Sequence, residues 1–192
     1  MRNRKIIRKQ NYDYSSDGWY YVTICTKDRK CYFGEIINEV MHPNEIGKQA
    51  NVFIQEISNH FPHVELGKFV VMPNHIHIIL RIVGTQHVVS VQKTDVNVRT
   101  GHGATELKND VTTLNNVAQL NQFGKTIPGS LSAIMGQLKS TLTRWCRAND
   151  YAHFAWQSRF HDHIIRTNES FERISEYIKN NPANWNNDKF HA

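Results

Sequence analysis

Two histidines stand two residues apart inside an apolar run, VVMPNHIHIIL, over residues 70–80. Side chains of an extended strand alternate between its faces, so His75 and His77 project together while Ile76, Ile78 and Leu80 fill the other side. Two imidazoles so placed can share one metal ion. They do not saturate it. A third ligand from elsewhere would still leave positions for substrate and water, the pattern of a catalytic site. A ligand set of imidazole and oxygen suits Mg²⁺ or Mn²⁺, and zinc stays open. A second His-x-His, His161-Asp162-His163, competes for the role. Its middle residue is Asp, costly if its face packs on helices. The apolar middle residue of the first pair favours His75 and His77.

The stretch SEYIKNNP (175–182) offers further groups. Apolar Phe171, Ile174 and Ile178 recur at helical spacing from about Ser170, and Pro182 ends the helix near Asn180. Tyr177 lies at the edge of that stripe. Asn181 follows four residues later, roughly 40° further round the helix axis, so the two side chains are neighbours. Asn181 can offer an amide oxygen to a metal and Tyr177 a phenol.

The elements that would position these groups read as follows. WYYVTICT (19–26) alternates and is rich in aromatic and β-branched residues, a strand. Asn44 caps a helix whose apolar positions are Ile46, Ala50, Phe53 and Ile57. KFVVMP (68–73) and HIHIILRIV (75–83) form a hairpin about Pro73 and Asn74. Residues 84–127 are polar, hold one aromatic (Phe123) and keep no period; they read as a flexible insertion within a single domain spanning 1–192. Ser130 caps a helix over 128–149 with an apolar stripe of Leu131, Ile134, Leu138, Leu142 and Trp145. RFHDHIIR (159–166) is a short strand, followed by the tyrosine helix. The order β-α-β-β-α-β-α, with the insertion after the third strand, predicts an α+β fold: a ferredoxin-like antiparallel sheet with helices packed on one face.

Composition narrows the partners. No apolar stretch reaches the roughly 18 residues of a membrane span, and the basic N-terminus has no apolar region behind it, so a cytoplasmic protein is expected. Cys25, Cys31 and Cys146 are odd in number and hold no Cys-x-x-Cys, which excludes a disulfide framework and a thiolate zinc site. The formal charge is +6, and basic chains find polyanions, most often nucleic acid. Arg4 and Arg8 belong to an acid-free N-terminal arm suited to a phosphate backbone. Lys139, Arg144, Arg147, Arg159 and Arg166 are further candidate DNA contacts, and Trp156 could stack on unpaired bases.

A His-hydrophobic-His followed by a lone helical tyrosine resembles the HUH single-strand DNA nucleases. The segments VMPNHIHIIL, FGKTIPGSLSAIMGQLKSTLTRW, WQSRFHDHIIR and EYIKNNP, in that order, resemble the REP-associated tyrosine transposases, relatives of the single-tyrosine insertion-sequence transposases. The opening YDYSSDGWYYVTICTKDRKCYFG is similar too, so the resemblance covers nearly everything outside 84–127. It implies that His75, His77 and Asn181 hold a divalent metal, Mg²⁺ or Mn²⁺, and that Tyr177 is the nucleophile. The implied substrate is single-stranded DNA beside a hairpin. The tyrosine attacks a phosphodiester to give a 5′-phosphotyrosine link and a free 3′-OH, which can reverse the step. Asp162 stands where the family often has Glu, and Phe160-His161 where it commonly has two aromatics. Related insertion-sequence enzymes dimerise by exchanging the tyrosine helix, which leaves a homodimer open. Two other readings compete: a non-catalytic hairpin-binding module on the same fold, and a metal-dependent phosphohydrolase that would not need Tyr177.

Overall fold

A computed structural model describes residues 12–84 and 126–191. Arg4, Arg8 and nearly all of the expected insertion lie outside the described residues. The elements on either side of 84–127 belong to one compact unit.

Strand β1 (Gly18–Cys25) is followed by a small hairpin, β2 (Gly34–Ile37) and β3 (Val40–Pro43). Helix α1 (Glu45–Gln55) and the single turn α2 (Ile57–His60) lead to β4 (Val64–Val71) and β5 (His75–Ile82). Helix α3 (Leu131–Ala148), β6 (His161–Ile165) and α4 (Asn168–Asn180) complete the chain, with a 3-10 turn at Trp185–Asn187. The main sheet has four strands in the order β4-β5-β1-β6, with every pairing antiparallel. That is the split β-α-β order of a ferredoxin-like fold.

The helix starts follow side-chain chemistry. Asn44, Ser130 and Thr167 each accept a hydrogen bond from a backbone N–H three residues on, capping α1, α3 and α4. The β2–β3 hairpin was not anticipated. Its four-residue strands are half exposed, and the chain reverses at Asn38 and Glu39, both in the left-handed region (φ 50° and 64°). So short an element carries too few alternations to announce itself.

The sheet is covered on both faces, which departs from the expected one-sided packing. Tyr20, Val22 and Ile24 of β1 and Ile76, Ile78, Leu80 and Ile82 of β5 form one core with α1 and α3. On the opposite face Ile79, Ile165, Trp19, Tyr21 and Val70 pack against Phe171, Ile174 and Ile178 of α4. The physical reason is α4 itself: it follows the last strand and carries its own apolar stripe, which the remaining sheet face alone can bury. β5 is therefore central and covered on both sides, and only Arg81 in it escapes full burial. This explains why its sequence is a continuous apolar run. His75 and His77 lie on the α4 face.

Candidate metal centre and tyrosine

The pairing register sets the two histidines. Across β1, His77 stands opposite Thr23 and His75 opposite Cys25. Both imidazoles are fully buried, and their Nε2 atoms face each other at 3.0 Å. The other ring nitrogens are engaged. His75 Nδ1 lies 2.8 Å from Asn74 Oδ1, while the Asn74 amide nitrogen donates to the carbonyls of Arg29 and Phe190. Asn74 thus offers only an acceptor, so His75 Nδ1 carries the proton and its Nε2 a lone pair. His77 Nδ1 meets the hydroxyls of Tyr21 at 2.8 Å and Thr23 at 2.9 Å. Ligating histidines are held in this way by partners at the second nitrogen.

Burial keeps the pair neutral. Desolvation lowers the pKa of His75 to about 4, against a partial rise from the charge of Asp188. Desolvation, and then the neighbouring His75, hold His77 well below its ordinary value. Neutral imidazole is the ligating form.

Helix α4 brings the phenol and the amide. The Tyr177 hydroxyl is 3.4 Å from His77 Nε2, and its ring meets that of His77 edge-on with centroids 5.3 Å apart. Asn181 is buried; its Nδ2 donates to Asp188 Oδ2 at 2.8 Å, and its Oδ1 has no hydrogen-bond partner. A carboxylate accepts only, so the bond to Asp188 fixes which end of the amide is oxygen. The Asn181 amide also partly offsets the lowering of the His75 pKa by burial. A buried carbonyl left unpaired is costly, and a cation between it and the histidine nitrogens would satisfy it. The donor set fits a divalent ion with a preference for nitrogen and oxygen. The four residues singled out in the sequence therefore meet in space.

Sequence reasoning missed Asp188. Its carboxylate and the two imidazoles offer ligand atoms within 4.8 Å of one another. Oδ2 also accepts the Tyr177 hydroxyl at 2.9 Å, and Oδ1 accepts the Phe190 N–H. Burial alone would raise its pKa, but these hydrogen bonds and the nearby His75 outweigh it and hold the carboxyl below its usual range. The Tyr177 phenol is pushed up to about 12, first by burial and then by Asp188. The segment NWNNDKF has no periodicity that would mark Asp188. Tyr21 and Thr23 could have been found from the alternation of WYYVTICT, which puts both on one strand face.

The C-terminal segment roofs the site. Phe190 lies 4.8 Å from His75 and 5.7 Å from His77, ring to ring, and Trp185 stacks on His75. Beside it opens a cavity of about 430 Å³ lined by Tyr21, Thr23, Arg29, His161, His163 and Lys189, among others. The competing histidines thus border the site from β6, where both are exposed.

The remaining basic candidates stand apart from this centre. Lys139, Arg144 and Arg147 lie on α3. Lys139 donates to the carbonyls of Gln157 and Arg159 at 2.7 and 3.4 Å, so its amine is tied to the loop before β6. Arg159 and Arg166 are exposed at either end of β6. No helix among the described residues is long and apolar enough to cross a membrane.

No protein-family model matches the chain. An uncharacterized protein of Haemophilus influenzae is 32% identical over 192 residues, covering all of this chain and 95% of that protein. Among solved structures, a REP-associated tyrosine transposase bound to a REP hairpin superposes with a TM-score of 0.54. It is 16% identical, and the match covers 95% of this chain and 74% of that one. At that identity the likeness is one of fold.

Proposed function

The chain belongs to the same family as the Haemophilus influenzae protein, and from its fold and site we propose that it is a transposase-like enzyme that cuts and rejoins single-stranded DNA at hairpins through Tyr177. The observation that carries the reading is the position of the Tyr177 hydroxyl, 3.4 Å from His77 Nε2, which itself faces His75 Nε2 at 3.0 Å, on the helix that also carries Asn181 with its unpaired oxygen. A hydrolase that activates water has no use for a phenol held there. The hairpin-bound transposase of the same fold supports the choice of DNA.

His75, His77 and Asn181 would hold a divalent ion, with Asp188 as a fourth donor. When bound, such an ion neutralises charge on the scissile phosphate and on the departing oxygen. The chain's own groups do the rest. Tyr177 Oη attacks phosphorus, the bond from phosphorus to the 3′-oxygen breaks, and the departing oxygen takes a proton from water, so that a 5′-phosphotyrosine and a 3′-OH result. The phenol needs to shed its proton, and Asp188 Oδ2, already hydrogen-bonded at 2.9 Å, is the acceptor in place. Exchange of one ester for another keeps the bond energy in the adduct, so rejoining needs no nucleotide cofactor. Arg29 and Lys189, at the rim of the adjoining cavity, supply positive charge for the strand.

A labelled hairpin with single-stranded flanks, incubated with Mn²⁺ or Mg²⁺, tests this. The wild type should cleave it, and Tyr177→Phe and His77→Gln should each abolish cleavage. Cleavage retained by Tyr177→Phe would point to a hydrolase, and binding without cleavage by any variant to a hairpin-binding module.

A further inference from the structure

Helix α3 carries a second concave surface on the face of the sheet away from the histidines. Its apolar side, Leu131, Ile134, Leu138 and Leu142, is buried in the core. Along its outer side runs a groove of about 490 Å³, walled by Lys139, Thr143, Arg144, Arg147, Trp156 and Phe160, with no carboxylate among the described residues that line it. Arg144 and Arg147 are exposed and form no ion pair among the described residues. The aromatic wall is fixed: the Trp156 indole N–H donates to the Lys139 carbonyl at 3.1 Å, and the Lys139 ammonium stands 5.8 Å over the ring.

Gly136 forms part of the groove. Glycine inside a helix is unfavourable relative to alanine, and a packing reason is missing among the described residues, none of which lies within 4 Å of where its Cβ would stand. What its bare backbone leaves open is the groove. Cations beside aromatic rings and an open floor match the alternation of phosphate and base in an unpaired strand. Duplex DNA, whose bases are stacked inward, offers phosphates but no base to such a wall.

The groove also connects to the catalytic face. Phe160 lines it, and the next residue, His161, lines the cavity beside His77. β6 is an edge strand, so the two faces are joined around that edge without crossing the sheet.

We infer that the α3 groove is a tract for unpaired nucleotides of the same DNA strand that Tyr177 attacks, with phosphates on Arg144 and Arg147 and a base against Trp156 and Phe160. The inference rests on the single-strand DNA reading above and names where the strand goes beyond the catalytic face.

The test is anisotropy binding of a labelled oligothymidylate and of a blunt-ended hairpin to the full chain. The variants are Arg144→Ala/Arg147→Ala, Gly136→Leu and Tyr177→Phe. Gly136→Leu puts a helix-forming side chain into open space, so its melting temperature should match or exceed that of the wild type while the groove is filled. The oligothymidylate should bind the arginine pair variant and Gly136→Leu about tenfold or more weakly, while Tyr177→Phe serves only as the control for the adduct. The double arginine change should also lower the salt slope by about 1.4, from roughly 0.7 per phosphate on a single strand. Hairpin binding should change little. Unchanged oligothymidylate affinity in both groove variants overturns the tract, as does equal loss for hairpin and oligothymidylate. A wild type that forms the tyrosine adduct but binds no oligothymidylate overturns the tract and keeps the proposed function. Groove-dependent binding with no adduct in any form does the reverse.

Discussion

The hydroxyl of Tyr177 and the carboxylate of Asp188, eleven residues apart, are joined by a 2.9 Å hydrogen bond in which the phenol donates. The same carboxylate oxygen accepts from Asn181 at 2.8 Å. One side chain from the C-terminal segment therefore holds both the tyrosine proposed as nucleophile and the Asn181 amide, whose oxygen is left unpaired.

Replacing Asp188 by Asn keeps the shape and removes the proton acceptor. General-base assistance contributes about 10²–10⁴-fold, so single-turnover cleavage by Asp188→Asn should slow by about a hundredfold at neutral pH. The phenol stands at about 12 partly because of Asp188, so its pKa should fall in the variant, and residual cleavage should rise with pH as phenolate forms without help. A rate–pH series on wild type and variant checks both.

The buried histidines make the metal-free chain sensitive to acid. A folded-state pKa of about 4 for His75, against 6.5 when exposed, means that the unfolded chain binds the proton first as pH falls. Stability is therefore full above about 6.5 and is lost as pH drops toward 4, by about 3 kcal/mol for His75 alone. The lowered His77 acts in the same direction. Urea unfolding across this range measures the loss, and His75→Gln should flatten it.

Divalent ions should bind the folded chain and raise its melting temperature. At a hundred times the dissociation constant the gain is about 2.7 kcal/mol. His77→Gln should abolish it. Tyr21→Phe removes the hydroxyl 2.8 Å from His77 Nδ1 and should weaken Mn²⁺ affinity about tenfold, as loss of a ligand's outer partner does. Calorimetric titration with Mn²⁺ gives both values.

Much of this arrangement was legible in the sequence, because the signals were local. The alternation of β1, the capped stripe of α3 and the Pro73-Asn74 turn each express their period within a few residues. The His75–His77 pair and the Tyr177–Asn181 spacing define faces, and the sheet register then brings those faces together. Asp188 was invisible for the opposite reason. It belongs to no periodic element, and its role comes from a docking held by Asn74 and Arg29, whose side chains reach the carbonyls of Phe190 and Lys189. The side of the sheet that α4 covers was likewise beyond the pattern, since a stripe says that a face is buried but not against what.

The most direct test of the central claim is to denature a reaction of the chain, Mn²⁺ and a hairpin DNA with labelled flanks, and then to digest it and locate the modified peptide by mass. The account predicts a covalent nucleotide adduct on Tyr177 that disappears in Tyr177→Phe. Cleaved DNA with no adduct, or an adduct that persists in Tyr177→Phe, would contradict it.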